Sequence, residues 1–350
     1  MRRVKVLIID DSAVVRQVLS LGLSRDPDLE VVGAAGDAFR ARELILSQHP
    51  DVLTLDVEMP RMDGLIFLKK LMPQYPLPVV MVSSLTGPGA AATLEAFQFG
   101  AVEVVNKPST NVGEGLGFML EDLREKIKAA SLVDVSRWRN ERWAEAVPRL
   151  PVGALFRSTD KMVAVGASTG GTVALRTILT ALPADMPGTV VVQHMPPVFT
   201  RLFAEKLNQE CQMKVKEAED GDRVTQGRVL VAPGGQQTTV RRSGGDYLVR
   251  VAAGERVNGH APSVDVLFDS VADAAGANAV GVVLTGMGRD GAAGLLRMRR
   301  AGARTLSQDE ASSLIYGMPM EAWKLGGSEK QVDLTQVPAE VVELLRRMRP

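Results

Sequence analysis

Met162-Val163-Ala164-Val165-Gly166-Ala167-Ser168-Thr169-Gly170-Gly171 is an apolar run that breaks into a turn of small residues. Helix-compatible sequence follows from near Thr172. A continuous apolar run is the mark of a strand buried on both faces, and such strands sit in parallel sheets whose crossovers are helices. The stretch thus predicts a strand over Met162 to Ala167 with a serine presented at the bend behind it. Further along the chain the alternation repeats, with strands expected at Thr189 to Gln193, Arg228 to Ala232, Ala279 to Thr285 and Arg304 to Leu306. Thr238 to Val251 departs from it: two alternating runs flank Ser243-Gly244-Gly245-Asp246, a hairpin signal. Pro338 to Met348 carries an amphipathic helical pattern. Residues 159–345 therefore read as a doubly wound α/β domain with an antiparallel hairpin.

Towards the N-terminus the pattern lapses between Ser131 and Thr159, where Trp138 and Trp143 stand among Arg, Asn and Glu, and Pro148 and Pro151 follow. We read residues 126–158 as a linker, partly helical, with the two Trp docking on a neighbouring domain. Ahead of it, residues 1–125 contain five strand-like runs: Val4 to Ile9, Val31 to Ala35, Val52 to Leu55, Pro78 to Ser83 and Val102 to Val105. Amphipathic segments alternate with them, which predicts a five-stranded parallel sheet with helices on both faces.

Composition narrows the functional classes. A chain of 350 residues is long for one core and sufficient for two. Lys plus Arg and Asp plus Glu are both 41, so no electrostatic excess points to nucleic acid or an anionic membrane. No helix-turn-helix pattern or basic stripe is visible. Cys211 is the only cysteine, which excludes an internal disulfide and suits a reducing compartment. Met1-Arg2-Arg3 is followed by an apolar run too short for an export signal, and no run reaches the roughly 18 residues of a spanning helix. The expectation is a soluble, cytoplasmic protein with no direct membrane insertion.

Two constellations carry chemistry. Asp10 and Asp11 stand at the carboxyl end of the first strand and Asp56 at that of the third, the edge where open parallel sheets bind ligands. Converging carboxylates repel unless a hard cation lies among them, and Mg2+ suits oxygen donors. Ser83 ends the fourth strand and Lys107-Pro108 follows the fifth. A hydroxyl, an ammonium and a metal around one aspartate are what phosphoryl transfer to a carboxylate needs. Any one of these Asp residues alone would pass for a helix N-cap.

In the second half, Ser168 needs a base, and the chain holds only His49, His194 and His260. His49 lies in a helix-to-strand loop of the first domain, where it reads as solvated. His194 ends the strand Thr189 to Gln193, on the same sheet edge as Ser168, which favours it. His260, in Asn258-Gly259-His260-Ala261-Pro262-Ser263, stays open as a residue beside the base or on the substrate side. The orienting carboxylate is best supplied by Asp290, in Leu284-Thr285-Gly286-Met287-Gly288-Arg289-Asp290-Gly291. Asp290 could instead cap a helix, and Asp265 competes for the role. A dinucleotide-binding turn is the rival reading of the Ser168 bend, but G-x-G-x-x-G is not matched. The order Ser, His, Asp also differs from that of the α/β-hydrolases.

Residues 1–125 resemble the receiver domain of bacterial response regulators, of flavodoxin-like fold. Asp10-Asp11, Asp56, Ser83 and Lys107-Pro108 carry the likeness, and Asp56-Val57-Glu58-Met59-Pro60-Arg61-Met62-Asp63-Gly64 is close to the family's phosphorylation loop. The resemblance implies that Asp56 accepts phosphate from a histidine kinase. It further implies that Asp10, Asp11 and Asp56, with the Glu58 backbone carbonyl, hold Mg2+, that Ser83 switches and Lys107 contacts the phosphoryl group, and that the bond before Pro108 is cis.

Gly166 to Gly171, Gln193-His194-Met195, His260 to Asp265, Leu284 to Gly291, Gln308-Asp309-Glu310-Ala311-Ser312 and Tyr316-Gly317-Met318-Pro319 together resemble the chemotaxis protein-glutamate methylesterases, the CheB family. That likeness implies a serine hydrolase acting on glutamyl methyl esters of chemotaxis receptors, with deamidation of certain glutamines and no cofactor for the esterase. It assigns Ser168, His194 and Asp290 to catalysis and backbone N–H groups near Thr169 and Met287 to the oxyanion hole. It also implies that the unphosphorylated receiver restricts access to the active site and that phosphorylation relieves this. The rival classes are a non-enzymatic regulator and a small-ester hydrolase.

Overall fold

The computed structural model describes residues 2–84, 88–107, 112–135, 147–151 and 160–348; for residues 84, 88–91 and 112–115 it describes the backbone alone. The expected docking of Trp138 and Trp143 and the bond before Pro108 lie outside the described residues. The chain divides into two compact units, Met1–Trp143 and Ala144–Pro350, a division that falls inside the predicted linker.

In the first unit β1 (Val4–Ile9), β2 (Leu29–Ala35), β3 (Val52–Asp56), β4 (Val79–Ser84) and β5 (Ala101–Lys107) form a sheet in the order β2-β1-β3-β4-β5. Every pairing is parallel. The helices are α1 (Ala13–Leu23), α2 (Ala38–Gln48), α3 (Gly64–Gln74), α4 (Pro88–Gln98) and α5 (Val112–Ala130). Three of them start on side-chain caps that the sequence supplies: Ser12 accepts from the Val15 N–H, Asp37 from Phe39 and Arg40, and Asp63 from Ile66, each satisfying N–H groups the helix leaves unpaired. His49, expected as a solvated loop residue, closes α2 in the left-handed conformation with φ 49°. The sheet reverses direction between β1 and β3, so the switch point lies where Asp10 and Asp56 emerge.

The second unit repeats the logic on a larger sheet. Its strands are β6 (Met162–Ala167), β7 (Gly188–Gln193), β8 (Lys214–Glu217), β9 (Arg228–Val231), β12 (Ala279–Val283), β13 (Arg304–Gln308) and β14 (Lys330–Val332), in the order β14-β13-β12-β6-β7-β9-β8. All are parallel. The predicted hairpin forms as β10 (Gln237–Ser243) and β11 (Asp246–Ala252), joined by Gly244-Gly245 in a sheet of its own. The helices are α6 (Gly171–Ala181), α7 (Phe199–Glu210), α8 (Val264–Ala275), α9 (Ala292–Arg300), α10 (Met318–Lys324) and α11 (Val337–Arg347). The hairpin packs on α8, which also lies against β6 and α9, while α6 packs with α7 and α11. Phe268, Leu267, Val264, Leu295 and Met298 are fully buried between these layers.

The two strands absent from the sequence reading, β8 and β14, are the two edges of the seven-stranded sheet. Lys-Val-Lys-Glu and Lys-Gln-Val are short and charged, as edges must be if they are not to recruit another chain, and so they carry no apolar run to read. The tail after Lys324 is a docked element. The buried Lys161 ammonium donates to the carbonyls of Leu345 (3.1 Å) and Met348 (3.0 Å), capping the negative end of α11.

Candidate functional site

Ser168 follows β6 by one residue and His194 follows β7 by one residue. Ala167 is in register with Gln193, so one step further Ser168 and His194 lie at the ends of adjacent strands, whose usual spacing is about 4.8 Å. The His194 N–H donates to the Ala167 carbonyl at 3.1 Å. The buried Gln193 amide donates to the carbonyls of Ser168 (3.0 Å) and His194 (3.2 Å), fastening the two turns together. On the other flank of β6, the Ser168 N–H donates to the Thr285 carbonyl at 3.0 Å. Ser168, 9% exposed, thus stands at the switch point of the sheet, where the strand order leads to β7 on one side of β6 and to β12 on the other.

The two expected partners meet directly: His194 Nε2 and Asp290 Oδ2 are 2.8 Å apart, in a contact whose side chains are 7% and 1% exposed. A ring that donates Nε2–H to a carboxylate keeps its lone pair on Nδ1, and His194 Nδ1 is buried with no hydrogen-bond partner among the described residues. Burial pushes the Asp290 carboxyl upward. Its bond to His194, the charge of that imidazole when protonated, and donors from Asn258 and Val264 outweigh this and hold it well below the usual carboxylate range.

The alternative of Asp290 as a cap for its own helix is settled by geometry. The residue before α9 is Gly291, with φ 87°, and α9 has no side-chain cap. Asp290 instead lies at the N-terminus of α8, accepting from the Val264 N–H (2.7 Å), the Asp265 N–H (3.3 Å) and the Ser263 hydroxyl (2.8 Å). The positive end of that helix helps keep the carboxylate charged. Asp265, the competing acid, bonds to the Gly294 N–H (2.7 Å) and the Asn258 amide (2.8 Å). Burial raises its carboxyl, and the nearby Asp290 charge adds to this. His260 belongs to the site as well: its ring lies on that of His194, centroids 3.6 Å apart and planes inclined by 13°.

The segment expected to supply an oxyanion donor is clamped from below. Thr285 donates through its hydroxyl to the carbonyls of Thr169 (2.9 Å) and Ile315 (3.2 Å) and accepts from the Ile315 N–H (2.9 Å). The Gly286 carbonyl takes the N–H groups of Gly317 and Met318. A Cβ at Gly286 would lie 2.3 Å from Met318 Sδ and 2.8 Å from Ser168 Cβ, so only glycine lets this loop close on the serine. Among the described residues the Met287 N–H is bonded to no carbonyl, whereas the Ser168 N–H is spent on Thr285.

In the first unit, Asp10, Asp11 and Asp56 each place a carboxylate oxygen within 4.8 Å of the others. Lys107 Nζ bridges two of them, 2.7 Å from Asp10 and 2.8 Å from Asp56. Burial raises the Asp56 carboxyl and Lys107 offsets this only in part; burial opposes the Lys107 charge, yet its two acidic partners raise it. Ser83, also buried, lies on the neighbouring strand, one position past the pairing of Asp56 with Val82. An open cleft of about 450 Å3 borders Asp11, Glu58, Met59 and Asp63. The donor set is all oxygen, hard and strongly anionic, which fits Mg2+. Gly64 completes the loop, because a Cβ there would lie 2.0 Å from the Asp56 carbonyl oxygen.

Sequence reasoning missed the residues that hold this chemistry in place: Gln193, Asn258, Ser263 and Thr285. Ser263 was legible as a helix cap and Asn258-Gly259 as a turn pair. A strand-terminal Gln or Thr gives no such signal, since its worth lies in which carbonyls fold against it.

A family model described as CheB methylesterase matches residues 163–341, and one described as response regulator receiver domain matches residues 6–113. The chain is 55% identical over 350 residues to a protein of Syntrophotalea carbinolica named protein-glutamate methylesterase/protein-glutamine glutaminase, covering 99% of each. It is 50% identical over 342 residues to the Salmonella typhimurium protein of the same name, covering 98% of this chain and 97% of that one. Among solved structures, the Thermotoga maritima CheB methylesterase catalytic domain matches with a TM-score of 0.52 and 34% identity, over 53% of this chain and 98% of that one. Likeness that runs the length of the chain and takes in both units leads to one conclusion: the chain belongs to the protein-glutamate methylesterase/protein-glutamine glutaminase family, with a response regulator receiver domain ahead of a CheB methylesterase domain.

Proposed function

We propose that Ser168, His194 and Asp290 hydrolyse the methyl esters of receptor glutamyl side chains, under the control of phosphorylation at Asp56. The observation that carries this is the pairing of His194 Nε2 with Asp290 at 2.8 Å, on the sheet edge that also presents Ser168. The Ser168 hydroxyl attacks the ester carbonyl as His194 Nδ1 takes its proton. Asp290 holds the ring and stabilises the imidazolium. Backbone N–H groups near Thr169 and Met287 receive the oxyanion. Collapse expels methanol, protonated by His194, and leaves the glutamyl group esterified to Ser168. Water, deprotonated by His194, then releases glutamate and restores the serine. A glutamine substrate gives the same acyl-enzyme with ammonia as the leaving group, so protein-glutamine glutaminase activity belongs to the same site.

In the receiver domain, Asp56 is the phosphoacceptor, with a chemotaxis histidine kinase as donor. Asp10, Asp11, Asp56 and the Glu58 carbonyl would hold Mg2+, which supplies charge neutralisation for the transferring phosphoryl group. Lys107, already salt-bridged to Asp56, contacts that group, and Ser83 responds to it. We assign residues 1–125 to this domain, 126–158 to the connector and 159–345 to the hydrolase. Both partners, the kinase and the receptor tails, place the protein in the cytoplasm; among the described residues no helix is long and apolar enough to cross a membrane.

The test is methanol release from methyl-labelled receptor cytoplasmic domain. Wild type should release it, faster with acetyl phosphate and Mg2+; Ser168→Ala should release none, and Asp56→Asn should keep the basal rate without the increase. Release that survives Ser168→Ala would refute the hydrolytic assignment, and full activation of Asp56→Asn would refute the phosphoacceptor.

A further inference from the structure

We infer that Asn258 is a positioning residue of the hydrolytic site, its amide cross-linking Asp265 and Asp290 so that the carboxylate behind His194 keeps one orientation. This rests on the hydrolytic reading above. One nitrogen does the cross-linking: Asn258 Nδ2 is 2.8 Å from Asp265 Oδ2 and 2.9 Å from Asp290 Oδ1, so each of its two N–H bonds serves a different acid. The other bonds of the two acids are to groups of the surrounding loops and the start of α8: Asp265 Oδ1 takes the Gly294 N–H at 2.7 Å, Asp290 Oδ1 also accepts from the Ser263 hydroxyl (2.8 Å) and the Asp265 N–H (3.3 Å), and Asp290 Oδ2 takes Val264 and faces His194.

A neutral amide is the right chemistry there. Asp290 must keep its negative charge for the imidazolium that forms on His194, and a lysine in this place would cancel it. With no donor between them, two buried carboxylates would repel, and one would turn or take a proton. The charged and titratable groups around the pair are His194 against Asp290, His260 stacked on His194, and Asp269 acting on Asp265.

The backbone explains why the residue is Asn. Asn258 and Gly259 both have positive φ, 53° and 85°, and the turn is closed by the Val257 N–H to the His260 carbonyl (3.0 Å) and the His260 N–H to the Val257 carbonyl (2.9 Å). Asn and Gly are the residues that enter this left-handed region readily. Of the two, only Asn also brings donors. The turn therefore delivers two side chains at once, the amide to the acids and the His260 ring to the face of the base.

Asn258→Gly separates these roles, because it keeps the backbone and deletes the amide. In the full chain we expect kcat to fall roughly 10- to 100-fold, the range set by losing a hydrogen bond to a charged group, with KM within about twofold since the amide is spent on the acids. The acid limb of the kcat profile should move to lower pH, because an imidazole whose carboxylate has turned away or been neutralised is harder to protonate. The low-field proton signal of His194 Nε2–H should broaden or shift upfield, a readout that does not depend on turnover. Asn258→Asp, which accepts the same φ but replaces donors with charge, should be at least as impaired. Wild-type kcat, pH profile and His194 signal in both variants would overturn the proposal. If wild type released no methanol the hydrolytic reading would fall, while the His194 signal would still decide whether Asn258 orients the pair.

Discussion

The rings of His194 and His260 lie face to face, 3.6 Å between centroids. With Nε2 held by Asp290, this leaves the His194 ring two constraints, one in its plane and one across it. A flat neighbour resists tilting of the ring, whose buried Nδ1 has no hydrogen-bond partner among the described residues.

His260→Ala removes that face. We expect kcat to fall about 3- to 10-fold, in line with the roughly 0.5–1.5 kcal/mol that a ring pair contributes beyond its buried area. His260→Phe, which restores a flat surface without a nitrogen, should recover most of it. Steady-state methanol release checks this; a Phe variant as poor as Ala would show that a His260 nitrogen, not its face, matters.

Asp290 also sets how the hydrolase domain responds to acid. Its folded-state pKa is depressed, so its contribution to stability is complete above its unfolded-state value, about pH 3.9, and drains away as pH falls towards the lower folded value. The stability gap between wild type and Asp290→Asn should thus be constant from pH 7 to about 5 and narrow below pH 4. Calorimetry of the full chain, following the hydrolase transition, measures it. At neutral pH the same variant should lose about 10^3- to 10^4-fold in kcat, as replacement of a triad carboxylate does.

Lys161 predicts a third outcome. Its ammonium is buried against two carbonyls at the end of α11, and Lys161→Met leaves those carbonyls unpaired. The cost should be about 1–3 kcal/mol of hydrolase-domain stability, seen as a lower urea midpoint, with kcat per folded molecule unchanged because α11 supplies no residue to the site.

Much of this architecture was legible in the residues themselves. The central strands β1, β3, β6, β7 and β12 are buried along most of their length, so they are written as largely apolar runs, and their ends mark Asp10, Asp56, Ser168 and His194. The hairpin announced itself through Gly244-Gly245. Burial pays little attention to edges, however, and β8 and β14 hide in charged sequence for that reason. Asp290 posed a different difficulty: an acid before a Gly and a helix reads as that helix's own cap, and only the fold shows its carboxylate at the N-terminus of α8. The stacking of His260 and the cross-link through Asn258 depend on a turn meeting two other loops in space, which no periodicity encodes.

The order of strands in the hydrolase sheet has a consequence for how the protein comes into being. Ser168, His194 and Asp290, the proposed nucleophile, base and acid, follow β6, β7 and β12, which are neighbours in space although β12 is made long after β6. No local stretch, and no early half of the domain, contains a working site. Contacts between segments so distant along the chain form slowly, because the intervening loop must be ordered first. Ester hydrolysis should therefore be among the last properties to appear on refolding, after helicity and the β6-β7 pairing, and its onset reports the moment the sheet is complete.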